Sequence, residues 1–253
     1  MNEELLLERP AEGVALITLN RPAVRNAITT TLQRHLGAML RLLKTDREVR
    51  AIVITGAGEK AFSAGYDVKE LESYDEDRML VNYVERQNLM GEVAFYSKPM
   101  VGAINGVAHG GGAILASVLD IRVGCSRTDF RFTAAAYAGV NNTWQLPQIV
   151  GHAKALEFTM TSRRIGADES LQAGLLNHVV ADDQVLAKSI EIASLIASNP
   201  AAAVCGHKAM IQANVGRSYP DAYAAENALM NGPLRPGRPG KLFEAFLAEH
   251  PQR

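Results

Sequence analysis

The glycine-rich segment Lys98–Leu119 constrains the fold of this chain more than any other stretch. It begins with a short apolar run, Met100–Ile104, which predicts a strand, and an Asn105-Gly106 turn follows. Three consecutive glycines, Gly110–Gly112, then precede an unbroken apolar run, Ala113–Leu119, which predicts a buried helix. Glycines that join a strand to a helix let a ligand approach the bare N–H groups at the positive end of the helix. The segment therefore predicts a ligand that carries or develops negative charge on oxygen.

A second strand-to-helix junction lies at Ala64–Asp67. The stretch Ala61–Gly65 is short and extended, and Asp67 with Glu70 forms a predicted capping box for a helix that starts at Val68. If the two strands are neighbours, both helix starts face one point, where two backbone N–H groups could polarise a carbonyl and stabilise an enolate. The alternative is that the glycines only allow a helix to pack closely on a sheet, and the spacing favours neither explanation.

Strands and helices alternate over the first ~180 residues, which predicts an α/β layered fold. The other runs that predict strands are Val14–Leu19, Ala51–Thr55, Ile121–Gly124 and Leu176–Val180. Helices are predicted at Thr30–Lys44, Arg78–Phe95, His152–Thr161, Asp168–Ala173, Leu186–Ser198, Ala201–Asn214, Pro220–Met230 and Lys241–His250. We therefore expect a core with the ligand site, residues 1–193, and a helical tail, residues 194–253, that acts as a lid or as an oligomerisation module.

Composition indicates a soluble protein in a reducing compartment. The 253 residues carry a formal net charge of −1, which gives no reason to expect nucleic acid or an anionic membrane as a partner. Cys125 and Cys205 show no metal or redox spacing and the six histidines are scattered, so we expect reduced thiols and no metal site. The acidic start has too short an apolar core for a signal peptide, and no apolar run approaches the ~20 residues of a membrane-spanning helix. We expect a cytoplasmic protein.

One alternative is a nucleotide-dependent oxidoreductase. Gly56-x-Gly58-x-x-Ala61 follows a strand and matches a loose dinucleotide-binding fingerprint. A helix should open there, but Phe62-Ser63-Ala64-Gly65 does not continue one, and the acidic residue that should end the next strand is missing. The chain also lacks a Walker pattern and a Gly-x-Ser-x-Gly elbow.

Several segments, in order along nearly the whole chain from about Leu5 to Phe246, carry a family resemblance. They are Asn20-Arg21-Pro22-x-x-Arg25-Asn26-Ala27, Phe62–Glu70, Asn105–Gly112, Asp120-Ile121-Arg122, Leu146-Pro147-x-x-Val150-Gly151 and Gly174–Val180. Together they resemble the crotonase (enoyl-CoA hydratase/isomerase) superfamily. The resemblance implies an α/β fold, a spiral of ββα units with a C-terminal helical trimerisation region, and assembly as a homotrimer or a dimer of trimers.

The resemblance also implies a coenzyme A thioester as substrate, with no separate cofactor. The thioester oxygen would lie between the backbone N–H groups of Tyr66 and Gly111. The Arg25 segment would hold the CoA phosphates, the Ala64 carbonyl would accept from the adenine amino group, and the last helix would lie near the CoA of a neighbouring subunit. The implied substrate-binding residues are Arg25, Ala27, Ala64, Gly65, Asp67, Val68, Gly110, Ile114, Ala134, Asn141, Trp144, Phe243 and Phe246.

The chain departs from the family at both catalytic acids. The first glutamate position, two residues after the third glycine, is Ile114, and counting forward from Phe130 puts Ala134 at the second. The segment Phe130–Gly151 contains no Asp or Glu, so no shift of alignment restores the acid. Because water addition needs a positioned acid and base, this pattern argues against the usual hydration and against an isomerase that uses the second position.

Two interpretations of that loss remain. The first is an enzyme that mainly stabilises an enolate, above all in the decarboxylation of a malonyl-type CoA; some decarboxylases of the family carry an imidazole where Tyr66 stands. The second is a non-catalytic protein that binds CoA thioesters. The polar candidates to line the acyl pocket are His109, Tyr137, Asn141, Asn142 and Trp144.

Overall fold

A six-stranded sheet forms the first layer of the computed structural model, which describes residues 4–237 and 243–249. Its strands are β1 Leu5–Ala11, β2 Val14–Leu19, β3 Ala51–Gly56, β5 Met100–Ile104, β7 Ile121–Gly124 and β10 His178–Val179, in the spatial order β1-β2-β3-β5-β7-β10. The β1–β2 pair is antiparallel and all other pairs are parallel. The predicted strand Val14–Leu19 is confirmed, as are Met100–Ile104 and Ile121–Gly124.

A smaller second sheet carries the strands that lead into the candidate site. It contains β4 Ala61–Ser63, β6 Val107–His109, β8 Asp129–Arg131 and β9 Ile165–Gly166, in the order β4-β6-β8-β9. Pairing is parallel for β4–β6 and β6–β8, and antiparallel for β8–β9. Two of these strands therefore end at the same edge of the sheet before each runs into a helix.

Eleven α-helices follow or separate these strands in the part of the chain that the structure describes. They are α1 Thr30–Thr45, α2 Val68–Glu72, α3 Glu76–Ala94, α4 Gly111–Ser117, α5 Leu146–Val150, α6 His152–Thr161, α7 Ala167–Gln172, α8 Val185–Ser198, α9 Ala201–Ala213, α10 Tyr219–Asn231 and α11 Glu244–Glu249, with single turns of 3-10 helix at Pro22–Val24 and Ala135–Tyr137. Ile52 and Ile54 belong to one core cluster, whereas Val53 of the same strand packs with Ala193 of α8 in the other. Burial on both faces explains why β3 is apolar at nearly every position.

The chain divides into two compact units, Met1–Ser198 and Asn199–Arg253. The division falls at Ser198 rather than at residue 193, because α8 continues without a break to that residue. The roles assigned to the two regions, a ligand-binding core and an oligomerisation module, stay predictions.

Several predicted boundaries are wrong by a few residues. The predicted helix Arg78–Phe95 begins two residues earlier, at Glu76, because the Asp75 carboxylate accepts from the Arg78 N–H and caps the helix. Helix α4 begins at Gly111 instead of Ala113, and the last predicted strand shortens to His178–Val179. The predicted helix Lys241–His250 appears as Glu244–Glu249. Phe243 precedes this helix, and Lys241, Leu242 and His250 lie outside the described part of the chain.

In the described part of the chain, each helix taken alone is too short or too polar to cross a membrane. The length and apolar composition needed to cross a membrane are reached only when two helices, Val185–Ser198 and Ala201–Ala213, are counted together.

Candidate active site

The two strand-to-helix junctions singled out in the sequence are neighbours. Strand β4 pairs in parallel with β6, with Ala61 opposite Val107 and Ser63 opposite Ala108. Strand β4 leads through Gly65 and Tyr66 into α2, and β6 leads through Gly110 into α4. The condition set by the sequence, that the two strands lie side by side, is therefore met.

The two turns touch each other through main-chain atoms. Gly65 has φ +98°, and a Cβ added there would lie 2.6 Å from the His109 carbonyl oxygen and 3.0 Å from the Gly111 amide nitrogen. Gly110 has φ +49°, in the region that glycine adopts most easily. A Cβ added at Gly111 would lie 2.7 Å from a carbon of the Tyr66 ring. Only glycines allow the two junctions to approach this closely.

The two candidate amides are free to bind a ligand. On either side of Tyr66, the Ile28 N–H donates to the Gly65 carbonyl at 2.7 Å and the Asp67 N–H donates to the Ile28 carbonyl at 3.0 Å. The Tyr66 N–H lies between these bonds and so points away from Ile28. Gly111 is the first residue of α4, where an N–H has no partner within the helix. Among the described residues, neither amide has a hydrogen-bond acceptor.

The Asp67 carboxylate fixes the first junction. One of its oxygens accepts from the Glu70 N–H at 3.4 Å, and the other accepts from Arg21 Nη1 at 2.9 Å. Burial raises the pKa of Asp67, but the hydrogen bonds from Arg21 and from the helix amides outweigh it, so the net pKa lies below the ordinary value. The predicted cap is confirmed, but the second bond of the capping box is wrong, because the Glu70 carboxylate accepts from the Thr30 N–H instead.

The segments predicted to bind CoA lie side by side. The Ala64 N–H donates to the Arg25 carbonyl at 2.8 Å, and the buried Asn26 side chain donates to the Ala61 carbonyl at 2.8 Å. Ala27 follows in the same segment, and its carbonyl accepts from Arg21 Nη1 at 2.7 Å. The structure thus brings Arg25 and Ala27 next to Ala64, Gly65, Asp67 and Val68. The side chains of Arg25, Ala64 and Val68 are exposed to solvent.

Hydrocarbon side chains stand at the two positions that the sequence resemblance assigns to the family's acids. Ile114 lies in α4 and is partly buried against the main core. Ala134 directly follows Thr133, whose hydroxyl oxygen would lie 3.1 Å from a Cβ added at Gly110. Neither of these two side chains can therefore transfer a proton.

The polar candidates for the acyl pocket have different surroundings. His109 Nε2 lies 3.0 Å from Asp129 Oδ1, and Asn142 is buried and donates from Nδ2 to the Ser117 hydroxyl at 3.0 Å. Tyr137 is 80% exposed, and Trp144 stacks on Phe95 with ring centroids 5.7 Å apart. Asn141 is partly buried, and Phe243 and Phe246 are more than half exposed within the second unit. Their predicted roles in substrate binding stay predictions.

The sequence did not single out Arg86, whose guanidinium carbon lies 3.8 Å from the centroid of the Tyr66 ring. Burial raises the pKa of Tyr66 to about 12, although the Arg86 charge opposes this rise, and burial lowers the pKa of Arg86. One signal could have found it. Asn82, Leu89 and Val93 face inward from α3, and Arg86 falls on the same side of the helix.

The dinucleotide fingerprint is not supported. The loop after β3 leads into a further strand, Ala61–Ser63, rather than into the helix that such a site needs. A cavity of about 400 Å³ does lie beside Gly56 and Gly58. Its wall also includes Arg127 and Asp182, which form an ion pair at 2.8 Å, and neither Tyr66 nor Gly111 lines it.

Comparisons with known proteins agree with this architecture. The family model for enoyl-CoA hydratase/isomerase matches residues 9–236. The short-chain-enoyl-CoA hydratase of Clostridium acetobutylicum is 33% identical over 210 residues, covering 79% of this chain and 77% of that protein. The Bacillus subtilis protein YngF, whose name places it among the enoyl-CoA hydratase/isomerases, is 35% identical over 207 residues, covering 81% and 80%.

Comparison with solved structures indicates the same family. The crystal structure of an enoyl-CoA hydratase from Bacillus anthracis superposes with a TM-score of 0.90 at 29% identity, covering 98% of this chain and 97% of that one. These matches confirm the predicted α/β fold and the family resemblance that six segments of the sequence carry. The chain therefore belongs to the enoyl-CoA hydratase/isomerase family of enzymes, the crotonase superfamily.

Proposed function

We propose that the chain binds an acyl-CoA thioester with the thioester oxygen between the N–H groups of Tyr66 and Gly111. One observation carries this proposal: two amides without acceptors lie at adjoining turns, at the same edge of two parallel neighbouring strands. Charge on the oxygen grows as the thioester becomes an enolate, so the two hydrogen bonds strengthen along the reaction. Each such donor typically stabilises a transition state by about 3–4 kcal/mol.

The same proposal gives the CoA moiety a place. Arg25 is exposed beside Ala64, so its charge is available to the CoA phosphates, and the Ala64 carbonyl would accept from the adenine amino group. The last helix, with Phe243 and Phe246, would pack near the CoA of a neighbouring subunit in a trimer or a dimer of trimers. The apolar side chains that this helix exposes are consistent with such packing.

The reaction that suits this site forms an enolate without a base. Neither Ile114 nor Ala134 can accept a proton, which disfavours the two-glutamate addition of water. Decarboxylation of a malonyl-type thioester needs no base. The bond between the α-carbon and the carboxylate breaks, its electron pair passes into the thioester as an enolate, and carbon dioxide leaves. The α-carbon then takes a proton from water.

The test is a panel of enoyl-, malonyl- and hydroxyacyl-CoA thioesters, with binding and steady-state turnover both measured. In deuterium oxide, the expected product of malonyl-CoA is acetyl-CoA with one deuterium on the α-carbon. Binding of the whole panel without any turnover would replace the enzymatic proposal with a CoA-thioester binding protein. Absence of binding to every thioester would contradict the proposed site itself.

A further inference from the structure

Among the described residues, Arg86 is a partly buried charge without an ion pair, and the Glu70 carboxylate acts on it only from beyond ion-pair distance. Its Nε is buried without a hydrogen-bond acceptor, and within residues 4–237 and 243–249 its guanidinium forms no ion pair. Its one described type of contact is stacking, at 3.8 Å from the Tyr66 ring centroid and 5.5 Å from that of Tyr83. A guanidinium partly removed from water without an acceptor is destabilising by itself, so its position calls for a partner.

Three other arginines, Arg34 and Arg41 beside α3 and Arg122 in the core, have hydrogen-bond acceptors. Arg34 donates from Nε and Nη2 to the Glu85 carboxylate, with the shorter bond at 2.8 Å. Arg41 donates to Glu92 at 2.9 Å. Arg122 is buried, and it donates to the main-chain carbonyls of Leu175 and Leu119. The fold therefore provides acceptors for arginines whose role is to join its elements, and Arg86 differs from them.

The position of Arg86 relates it to the thioester site. Its guanidinium lies against the Tyr66 ring, and a carbon of that same ring would lie 2.7 Å from a Cβ added at Gly111. One aromatic ring thus links the free guanidinium to both residues whose amides would hold the thioester oxygen. An acyl chain bound at those amides would start beside this ring, and Arg86 packs on the face of the same ring.

We propose that Arg86 binds a carboxylate at the far end of the acyl group, so that the substrate is the CoA monothioester of a dicarboxylic acid. Arginine presents a planar fork of donors that matches a carboxylate with two parallel hydrogen bonds. Stacking on Tyr66 holds that fork in one plane, which lowers the entropy lost on binding. This inference rests on the proposed function, because the Tyr66 and Gly111 amides fix where the acyl chain begins.

Arg86 would determine which substrate binds and would not take part in the chemical step. An ion pair with the carboxylate stabilises the bound substrate and is lost as carbon dioxide leaves, so Arg86 raises affinity and does not accelerate decarboxylation. The preference for a carboxylate should therefore appear in the dissociation constants of the thioesters. It should also appear for succinyl- and glutaryl-CoA, whose carboxylate lies too far from the thioester to leave as carbon dioxide through an enolate.

The experiment measures calorimetric dissociation constants of malonyl-, succinyl- and glutaryl-CoA, each against the thioester in which an isopropyl group replaces the carboxylate. The full chain is compared with Arg86→Gln, Arg86→Lys and the control Arg78→Gln. Arg78 is a matched control because it lies in the same helix and stacks on Tyr74 at 4.0 Å. At least one carboxylate thioester should bind about 10- to 100-fold tighter than its isopropyl analogue, both in the unaltered chain and in Arg78→Gln.

Arg86→Gln should lose that preference and keep its affinity for the isopropyl thioesters within about threefold, and Arg86→Lys should keep part of it. Equal binding of both thioesters by the unaltered chain, or a preference that survives in Arg86→Gln, would overturn the role of Arg86 and leave the oxyanion site standing. Failure to bind any thioester would instead contradict the proposed function. If Arg86→Gln does not fold, the comparison rests on Arg86→Lys, in which an undiminished preference would count against the inference.

Discussion

The two junctions that form the candidate site are built in opposite ways. At Tyr66 the chain is held by side chains: the Asp67 carboxylate caps α2 and pairs with Arg21, and the main chain on either side bonds to Ile28. At Gly111 the helix has no side-chain cap, and its glycines allow close contact with the first junction. Both junctions need a glycine, Gly65 in the first and Gly111 in the second, but a charged side chain caps only the first.

This difference predicts which substitutions each junction tolerates. A carboxylate or a guanidinium can be weakened while the backbone keeps its path, because the hydrogen bonds to Ile28 remain. A methyl group at the glycine junction has no space, because the nearest atoms belong to the opposing main chain or ring. We expect the glycine junction to be far more sensitive to substitution.

The largest effect is expected for Gly112→Ala. An added Cβ would overlap the carbonyl oxygen of Ser63, which belongs to a paired strand and cannot move freely. We expect a loss of about 3 kcal/mol in the free energy of unfolding, measured by urea denaturation. The control is Gly91→Ala in α3, where a Cβ meets nothing within 4 Å and should raise stability by about 0.5–1 kcal/mol. Equal stability of the two variants would contradict the contrast between the junctions.

Gly111→Pro should cost about 100- to 1,000-fold in kcat/KM, because it deletes an amide donor at a helix position where proline is otherwise accepted. Proline also adds carbon atoms next to the Tyr66 ring, so the matched variant is Gly111→Ala, which adds a Cβ and keeps the N–H. The loss in Gly111→Pro relative to Gly111→Ala isolates the donor. If both variants lose the same activity, crowding of the ring and not the hydrogen bond explains the effect.

Asp67→Asn should lower the free energy of unfolding by about 1–2 kcal/mol at pH 7, because asparagine still caps the helix but no longer pairs with Arg21. The folded-state pKa of Asp67 is lowered from its ordinary 3.8, so its stabilising effect is present above that pH and is lost as pH falls through the folded-state value. The difference between the two proteins should therefore shrink below about pH 4. Urea titrations from pH 3 to pH 7 check this, and a constant difference would mean that the charge does not contribute.

Tyr66→Phe should have the smallest effect, within about threefold in kcat/KM, because the proposed donor is the backbone N–H that phenylalanine retains. The phenol has a pKa of about 12, so it stays protonated across the working range and adds no titration between pH 6 and pH 9. Steady-state rates over that range test the prediction. A drop of tenfold or more would show that the hydroxyl takes part in the reaction.

Much of the first sheet could be predicted from the sequence, because a strand covered on both faces is apolar at nearly every position. Val14–Leu19 and Met100–Ile104 are such runs, and their bounds are confirmed. The start of α3 could not be placed in this way, because Asp75 caps the helix inside a polar stretch that is equally typical of a loop.

The positions of the two junctions along the chain were predictable, but their contacts were not. The Glu70 carboxylate accepts from the Thr30 N–H because α1 starts close to it in space, and the distance between two segments 40 residues apart cannot be derived from a sequence pattern. Arg86 was overlooked because one basic residue in an amphipathic helix is typical of a solvated face. Only the tertiary structure shows that its guanidinium lies on the Tyr66 ring.

The proposed site requires the amides of Tyr66 and Gly111 to converge on one thioester oxygen. A crystal structure of the chain with bound acetoacetyl-CoA tests it most directly, since this ligand carries the thioester and the whole CoA moiety. We predict that the thioester oxygen lies about 2.7–3.1 Å from both amide nitrogens. An oxygen beyond about 3.5 Å from either nitrogen, with the CoA moiety well ordered, would contradict the account.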